Sequence, residues 1–554
     1  MEVQDRKKRD RDAEIANEIC REFEELAKDR YNFESQWQEI AERVDVNSSN
    51  LFLSRGSLRT KGEKRTEHMF DSTGAVALSR FSAILDSLLT PRNQTWHRLT
   101  TNIPELNKDR EVKLYFDAVN QALFRYRYGP KANFASQNQM DYRNLGGYGT
   151  AGLFIDKLWA EPGIRYKSCP LNELYLAENH QGMVDKVLRH FVLTARQAIQ
   201  KWGNKVPDSI KNAAKVSPER EFFFIHCVKP RQDLDPTKKD YRGMDFASYY
   251  VSMEGKALLD EGGYSVFPYA VSRYEQSSGE VYGRSPAMEV LPALKTLNEQ
   301  KKTVLKQGHR TVDPILLMHD DGILDGFSLK PGATNAGAVT ADGRPLVHTL
   351  PVGNIAIGKD LMDDERIVIK DALLVSIFQI LQESPQMTAT EVLERTREKG
   401  LLLAPTLGRQ QSERLGSMID REIDVLAMQG LIPPMPRALI QARGEYRVEY
   451  DSPLSKAQRA EEASGLMRTV EMALNTVNIT GNPEPLDHFN WDVIIPEMAD
   501  IQGVPAKWMR SQKEIEAMRE SRSQQAETQE MIQGAPAAAA MIKAINGKGT
   551  GQAA

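Results

Sequence analysis

The chain has 554 residues, enough for roughly three or four domain-sized units. Its 72 basic residues stand against 76 acidic ones, a net charge of −4, which excludes a strongly basic DNA-coating protein. Cys20, Cys169 and Cys227 lie far apart and form no CxxC pair, so reduced thiols are expected, not a disulfide framework or zinc site. The charged N-terminus lacks a signal-peptide core, and no apolar run approaches the roughly 18 residues of a membrane span. A soluble, cytosol-made protein with no membrane partner is expected.

Residues 8–45 predict helix, since Ile15, Ile19, Phe23 and Leu26 recur at three to four residue spacing. Residues 71–90 predict a second, with Asp71 or Ser72 as N-cap and Pro91 after its end. The run QTWHRLT alternates like a strand, and residues 108–128 and 130–145 read as two more helices. From 150 to 275 the period changes to two. Seven runs rich in aromatic and β-branched residues predict an α+β region with one mostly antiparallel sheet, interrupted by the short helix ARQAIQKWG.

Residues 286–308 predict a long helix with an apolar stripe of Met288, Leu291, Leu294 and Leu297 that fades into a polar stretch. Residues 309–360 hold the short strands PILLMH and PLVHTL amid seven glycines. A second long helix is expected over 363–383, with a broad apolar face that includes Ile367, Ile369 and Leu373. Pro385 stops it, and Thr388 with Glu391 forms a capping box opening a helix to about Gln429, which Pro405 should kink. Residues 446–450 predict a strand, and 455–478 and 505–530 predict helix, before a low-complexity tail.

Several motifs invite a catalytic reading and fail it. Gly147-Tyr-Gly149-Thr-Ala-Gly152 matches GxGxxG, but a helix precedes it and a strand follows, the reverse of a dinucleotide site. Gly353-Asn-Ile-Ala-Ile-Gly358-Lys359-Asp360 matches GxxxxGK, yet Asp360 stands where a P-loop needs a hydroxyl for Mg²⁺. An ATP-dependent nucleic-acid motor on this degenerate loop is one reading to keep. No HExxH, no His pair at i,i+4 and no GxSxG occur. No catalytic residue, cofactor or metal ligand is expected.

The central layout resembles the portal, or head-to-tail connecting, proteins of short-tailed bacteriophages. Three blocks carry the resemblance: ILDSLLTPRNQTWHRLT, GEVYGRSPAMEVLPALKTLNEQ and QMTATEVLERTRE, in the family's order of helix, β insertion, helix, loop and helix. Tyr282-Gly283-Arg284-Ser285, leading into the first stem helix, is the sharpest part. The resemblance implies a helix-rich α+β portal fold with wing, stem, clip and crown, assembled as a ring. Residues 1–285 would be wing, 286–308 the first stem helix, 309–362 the clip, and 363–384 the second stem helix with the start of the tunnel loop. Residues 385–454 would hold the tunnel loop, long wing helix and return strand, 455–530 the helical crown, and 531–554 the tail. The tunnel loop would comprise Gln382, Glu383, Ser384, Pro385, Gln386 and Met387.

The implied function is a dodecameric ring at one capsid vertex, a conduit for double-stranded DNA in packaging and ejection, with no catalysis of its own; the alternatives are the nucleic-acid motor on Gly353–Asp360 or another head–tail structural protein of a virion. Implied partners are further copies of the chain, the terminase large subunit, tail or adaptor proteins at the clip, and capsid and scaffolding proteins at the wing. The implied location is the virion, with the host cytoplasm during assembly. A channel crossed in both directions must not grip phosphate strongly, because each neutralised phosphate adds affinity. Lys295, Lys301, Lys302 and Lys306 are the candidate channel-facing cations.

Overall fold

The structure is a computed structural model that describes residues 2–48, 66–67, 69–318, 328–351, 355–376, 405–442, 444–450, 453–481, 484–501, 504, 508–510 and 514–525. Two compact units emerge, one from residues 1–96 and 122–432, the other from 97–121 and 433–554. In chain order come α1 (Glu2–Asp29), α2 (Tyr31–Arg43), α3 (Thr73–Leu89), β1 (His97–Thr100), α4 (Pro104–Lys108), α5 (Arg110–Arg127) and α6 (Phe134–Tyr148). The strands β2 (Thr150–Lys157), β3 (Ile164–Cys169), β4 (Leu174–Glu178) and β5 (Val184–Thr194) lead to α7 (Ala195–Trp202) and α8 (Asp208–Val216). Next are β6 (Glu221–Pro230), β7 (Phe246–Ser252), β8 (Ala257–Tyr264) and β9 (Tyr269–Arg273). Then α9 (Pro286–Glu289), α10 (Leu291–Val312), β10 (Leu316–Met318), β11 (Val347–Thr349) and α11 (Ile355–Ala372). The π-helical Gln410–Leu415, the helices Gly416–Met428 and Arg437–Gln441, β12 (Arg447–Tyr450) and the helices Pro453–Thr480 and Trp491–Ile501 follow.

Strands β2–β9 form two antiparallel sheets, where the sequence predicts one: β3-β2-β9 and β4-β5-β6-β7-β8. Strand β6 shows why period two was legible. Phe222 and Phe224 point to one face, where α7 and α8 seal them with Trp202 and Ile210. Ile225 and Cys227 point to the other, beneath Ala16, Ile19 and Cys20 of α1. Each such apolar side chain contributes about 1.5–3 kcal/mol on burial. Strand β8 escaped the sequence reading because ALLDEGGY is a half-exposed edge strand with a register shift opposite Tyr250 and Val251, so it has no strict alternation.

The two long helices also depart from expectation. The first is broken at Val290 and then runs to Val312, because Pro292 has no amide to continue the ladder from Met288. The second begins at Ile355, eight residues early, and its α-helical part ends at Ala372. There Leu374 adopts a left-handed φ of 61°, a cost of about 1–2 kcal/mol. Burial of its neighbours Leu373 and Val375 offsets that cost.

A weld of buried ions holds the helical segment 405–428 to the sheets. Arg127 donates to both carboxylate oxygens of Glu422, which also accepts from Tyr166 at 2.6 Å, and neither charged side chain is exposed. Arg414 lies 2.8 Å from Asp141 and over the Tyr142 ring. Burial raises the Asp141 carboxyl pKa, while Arg414 pulls it down. Gln410 donates to the Arg273 carbonyl at 3.0 Å. Pro405 is the first described residue of this segment, and the capping box at Thr388 and Glu391 lies outside the described residues.

In the second unit β1 pairs antiparallel with β12, His97 opposite Tyr450. Residues 97–121 thus join the C-terminal part of the chain, which no local pattern announces. The Asn107 side chain closes the turn after β1, accepting from the Thr101 amide and donating to its carbonyl. Met472, Ile479 and Ile495 are exposed on the helices that follow β12.

Two predictions follow from the first unit. Arg127→Met or Glu422→Leu alone leaves one buried charge unpaired and should cost about 3–5 kcal/mol, while the double variant should cost less than either; urea unfolding of all three measures this. His190, stacked between Phe23 and Phe223, has its pKa lowered to about 4 by burial and by Arg30. Burial, with Lys201 and Arg189 adding to it, holds His226 well below 6.5. Both stay neutral in the fold but charge when unfolded, so the unfolded state binds more protons below pH 6.5 and stability falls from there toward pH 4. The slope should approach about 1.4 kcal/mol per pH unit for each histidine. Thermal melting of His190→Phe/His226→Gln should show a shallower slope across that window.

Candidate functional site

The turn 282–285 is where the N-terminal helices, both sheets and the central helix pair converge. Helix α6 ends at Gly149 with φ 76°. A Cβ there would fall 2.4 Å from the Gly283 carbonyl oxygen, and one on Gly283 would fall 2.3 Å from the Gly149 oxygen. The two backbones therefore touch only because both residues are glycine. This accounts for the central glycine of the apparent GxGxxG, which turns a helix into β2. The Gly283 amide donates to Thr150 Oγ1 at 2.8 Å, and the Tyr274 amide to the Gly149 carbonyl at 2.9 Å.

The other three residues of the motif have equally definite places. Ser285 caps α9, accepting from the Met288 amide at 3.0 Å and donating to the Gly147 carbonyl at 2.8 Å. Arg284 is paired with Glu280 and donates to Gln36 of α2 at 3.1 Å. Buried Tyr282 packs edge-on against Trp37, ring centroids 5.2 Å apart, and its hydroxyl accepts from the Leu176 amide at 3.2 Å. Beside it the fully buried Arg30 donates to Glu34 at 2.8 Å and to the carbonyls of Leu171 and Leu174, and lies 4.1 Å from the Tyr175 ring.

From this turn α9 and α10 lead away and α11 returns along α10. Gly358 abuts Val304, where a Cβ would come within 2.8 Å of the valine methyl. At the other end Asn298 of α10 accepts from the Phe70 amide at 2.8 Å, and Arg366 of α11 pairs with Asp71 at 2.6 Å. The helices are therefore antiparallel and both pinned to the lead-in of α3. Between them projects the antiparallel pair β10–β11, with Leu317 opposite His348.

The candidate lysines are placed unequally. Lys295 is paired with Glu39 of α2, and Lys302 sits 3.5 Å from Glu299. Lys301 is partly covered. Lys306 is exposed and joins Arg310, Ile315, Leu350 and Pro351 in lining a cleft of about 410 Å³. Gln382, Glu383, Ser384, Pro385, Gln386 and Met387 lie outside the described residues.

Gly358, Lys359 and Asp360 lie inside α11, past its first turn, where the amides are committed to the helix and cannot cradle phosphate. Among the described residues no cluster of His, Cys, Asp or Glu has metal-site geometry. No helix among them is long and apolar enough to cross a membrane. All three thiols are buried, which pushes Cys169 up to about 11 and Cys227 up to about 12.

Comparison with known proteins agrees with this geometry. The family described as bacteriophage head to tail connecting protein matches residues 16–509. A probable portal protein of Bordetella phage BPP-1 is 29% identical over 511 residues, covering 90% of each chain. A portal protein of Salmonella phage epsilon15 is 26% identical over 537 residues, covering 95% of each. With the match spanning nearly the whole length, the chain belongs to the bacteriophage head-to-tail connecting protein family.

Proposed function

We propose that the chain is a phage portal subunit. Copies close into a ring, twelve in the family's manner, at one capsid vertex, and double-stranded DNA passes through the bore in packaging and ejection. The observation that carries this is the antiparallel pair α10–α11, which brackets a projecting β pair in a chain that belongs to the head-to-tail connecting family. In this reading α9–α10 and α11 are the stem, and β10–β11 belongs to the clip, which meets tail or adaptor proteins. The sheets and N-terminal helices are wing, facing capsid and scaffold. The exposed apolar side chains on the helices after β12 belong to a crown that further copies cover. The terminase large subunit docks on the ring during packaging.

The subunit's contribution is mechanical. The glycine contact at 149 and 283, the Ser285 cap and the Tyr282 anchor fix the angle at which the stem leaves the wing. No residue in this reading performs chemistry, and hydrolysis of nucleotide falls to the motor partner.

Negative-stain images of the purified protein, alone or with scaffold, should show rings with a central bore; monomers only, under both conditions at micromolar concentration, would overturn the reading. Lys359→Ala should leave ring formation and any residual ATP turnover unchanged; loss of a turnover present in the wild type would favour a motor. Gly283→Ala drives a methyl group into the Gly149 carbonyl and should lower the melting temperature by several degrees, about 2 kcal/mol or more. Gly182→Ala, at an open turn, should cost less.

A further inference from the structure

The cleft of about 410 Å³ lies where the end of α10 meets the projecting strand pair, and its size is that of a ligand pocket. Thr303, Lys306, Gln307 and Arg310 line it from one face of the helix, since they recur at three and four residue spacing. The rest of the lining is apolar and comes from the strand side: Ile315, Leu350 and Pro351. The Leu350 amide donates to the Ile315 carbonyl at 2.9 Å, which continues the β10–β11 ladder and holds both side chains in place. Ile315 and Leu350 are nevertheless 50% and 41% exposed. Leu317, two residues on and so on the same side of the strand, is exposed as well.

No acidic residue lines the cleft. Lys306 and Arg310 hold no ion pair among the described residues, whereas Lys295 and Lys302 of the same helix do. The helix dipole favours cations in the last turns of any helix. That accounts for their charge but gives no reason for exposed Ile315 and Leu350 beside them. A DNA duplex gives no reason either, because phosphate contacts gain nothing from an apolar wall. Donors on one side and apolar side chains on the other suit a peptide that carries acids on one edge and apolar residues on the opposite one. Four residues of helix set Lys306 and Arg310 about 6 Å apart along the axis. Alternate side chains of an extended strand repeat at nearly that distance, about 6.7 Å. A helix, about 10–12 Å across with its side chains, is broad for this cleft.

We propose that the cleft docks an extended acidic segment of a protein that meets the projecting end of the subunit. Its carboxylates lie on Lys306 and Arg310, and its apolar side chains lie on Ile315 and Leu350. This rests on the portal reading, in which that end is the clip, and adds the residues and the chemistry by which a tail-side partner is held. It takes Lys306 out of the candidate channel-facing cations. The charges fix the partner and its orientation, while apolar burial holds it there.

Fluorescence anisotropy of the full chain with a labelled peptide of alternating Glu and Leu is the test. The peptide should bind, and Lys306→Glu/Arg310→Glu should weaken it at least about tenfold. Ile315→Ser/Leu350→Ser should weaken it by a similar factor, as should serine in place of the peptide's leucines. Leu305→Ser, on the same helix but outside the cleft, should leave the affinity unchanged. Circular dichroism checks that every variant is folded. A wild type that does not bind the peptide, or double variants that bind it as the wild type does, would overturn the site. So would a charge reversal that lowers affinity for a short DNA duplex and not for the peptide, since it moves the cations into the bore. Rings in negative stain that ignore the peptide would end this proposal and leave the portal reading standing. A chain that binds the peptide at this cleft yet never forms rings would end the portal reading and leave the acidic-peptide site.

Discussion

The guanidinium of Arg30 is the contact on which the arrangement around the 282–285 turn depends. It is fully buried, and its acceptors are one carboxylate and the backbone carbonyls of Leu171, Asn172 and Leu174, with the Tyr175 ring beneath it. A lone buried cation costs several kcal/mol, so this site is stable only while α1–α2, the lead-in to β4 and Tyr282 are all in place. Three segments distant in sequence thus become one cooperative joint. Helices α9 and α10 leave from that joint through Ser285, and their direction follows from the packing around a single charge.

The same logic recurs at Arg127, Arg414 and Arg421, each buried and each tied to a carboxylate: Glu422, Asp141 and Asp424. Apolar packing alone leaves a helix free to slide or rotate by a residue. An ion pair with both partners dry tolerates no such slip, since a displaced charge has no water to turn to. The π-helical turn at Gln410–Leu415 fits this picture, because it lets Gln410 reach Arg273 of β9 and Arg414 reach Asp141 of α6.

Much of this was legible in the sequence, and the reasons for success and failure are physical. The β2–β7 strands, α3 and α6 announced themselves because one face of each is buried and the period is clean. The Tyr282-Gly283-Arg284-Ser285 turn was readable as a motif, but its reason, two glycine backbones in contact, needed the fold to bring residue 149 beside residue 283. Pro292 was overlooked as the break in the first long helix. The early start of α11 hid within a stretch that mimicked a P-loop. Pairing of β1 with β12 spans about 350 residues and leaves no local trace. The four lysines share one predicted helix, whereas Lys295 has a partner on α2 that the sequence does not show.

The dry ion pairs have a consequence for the surroundings in which such a subunit works. Mobile ions damp exposed charge pairs over a Debye length of about 8 Å at physiological ionic strength, and over still less in concentrated brine. Pairs such as Arg11–Glu261 and Lys131–Glu161 are open to that damping. Arg127–Glu422 and Arg414–Asp141 are not, for no solvent reaches them. The scaffold of the first unit is therefore indifferent to the ionic atmosphere, while its surface affinities remain adjustable by it.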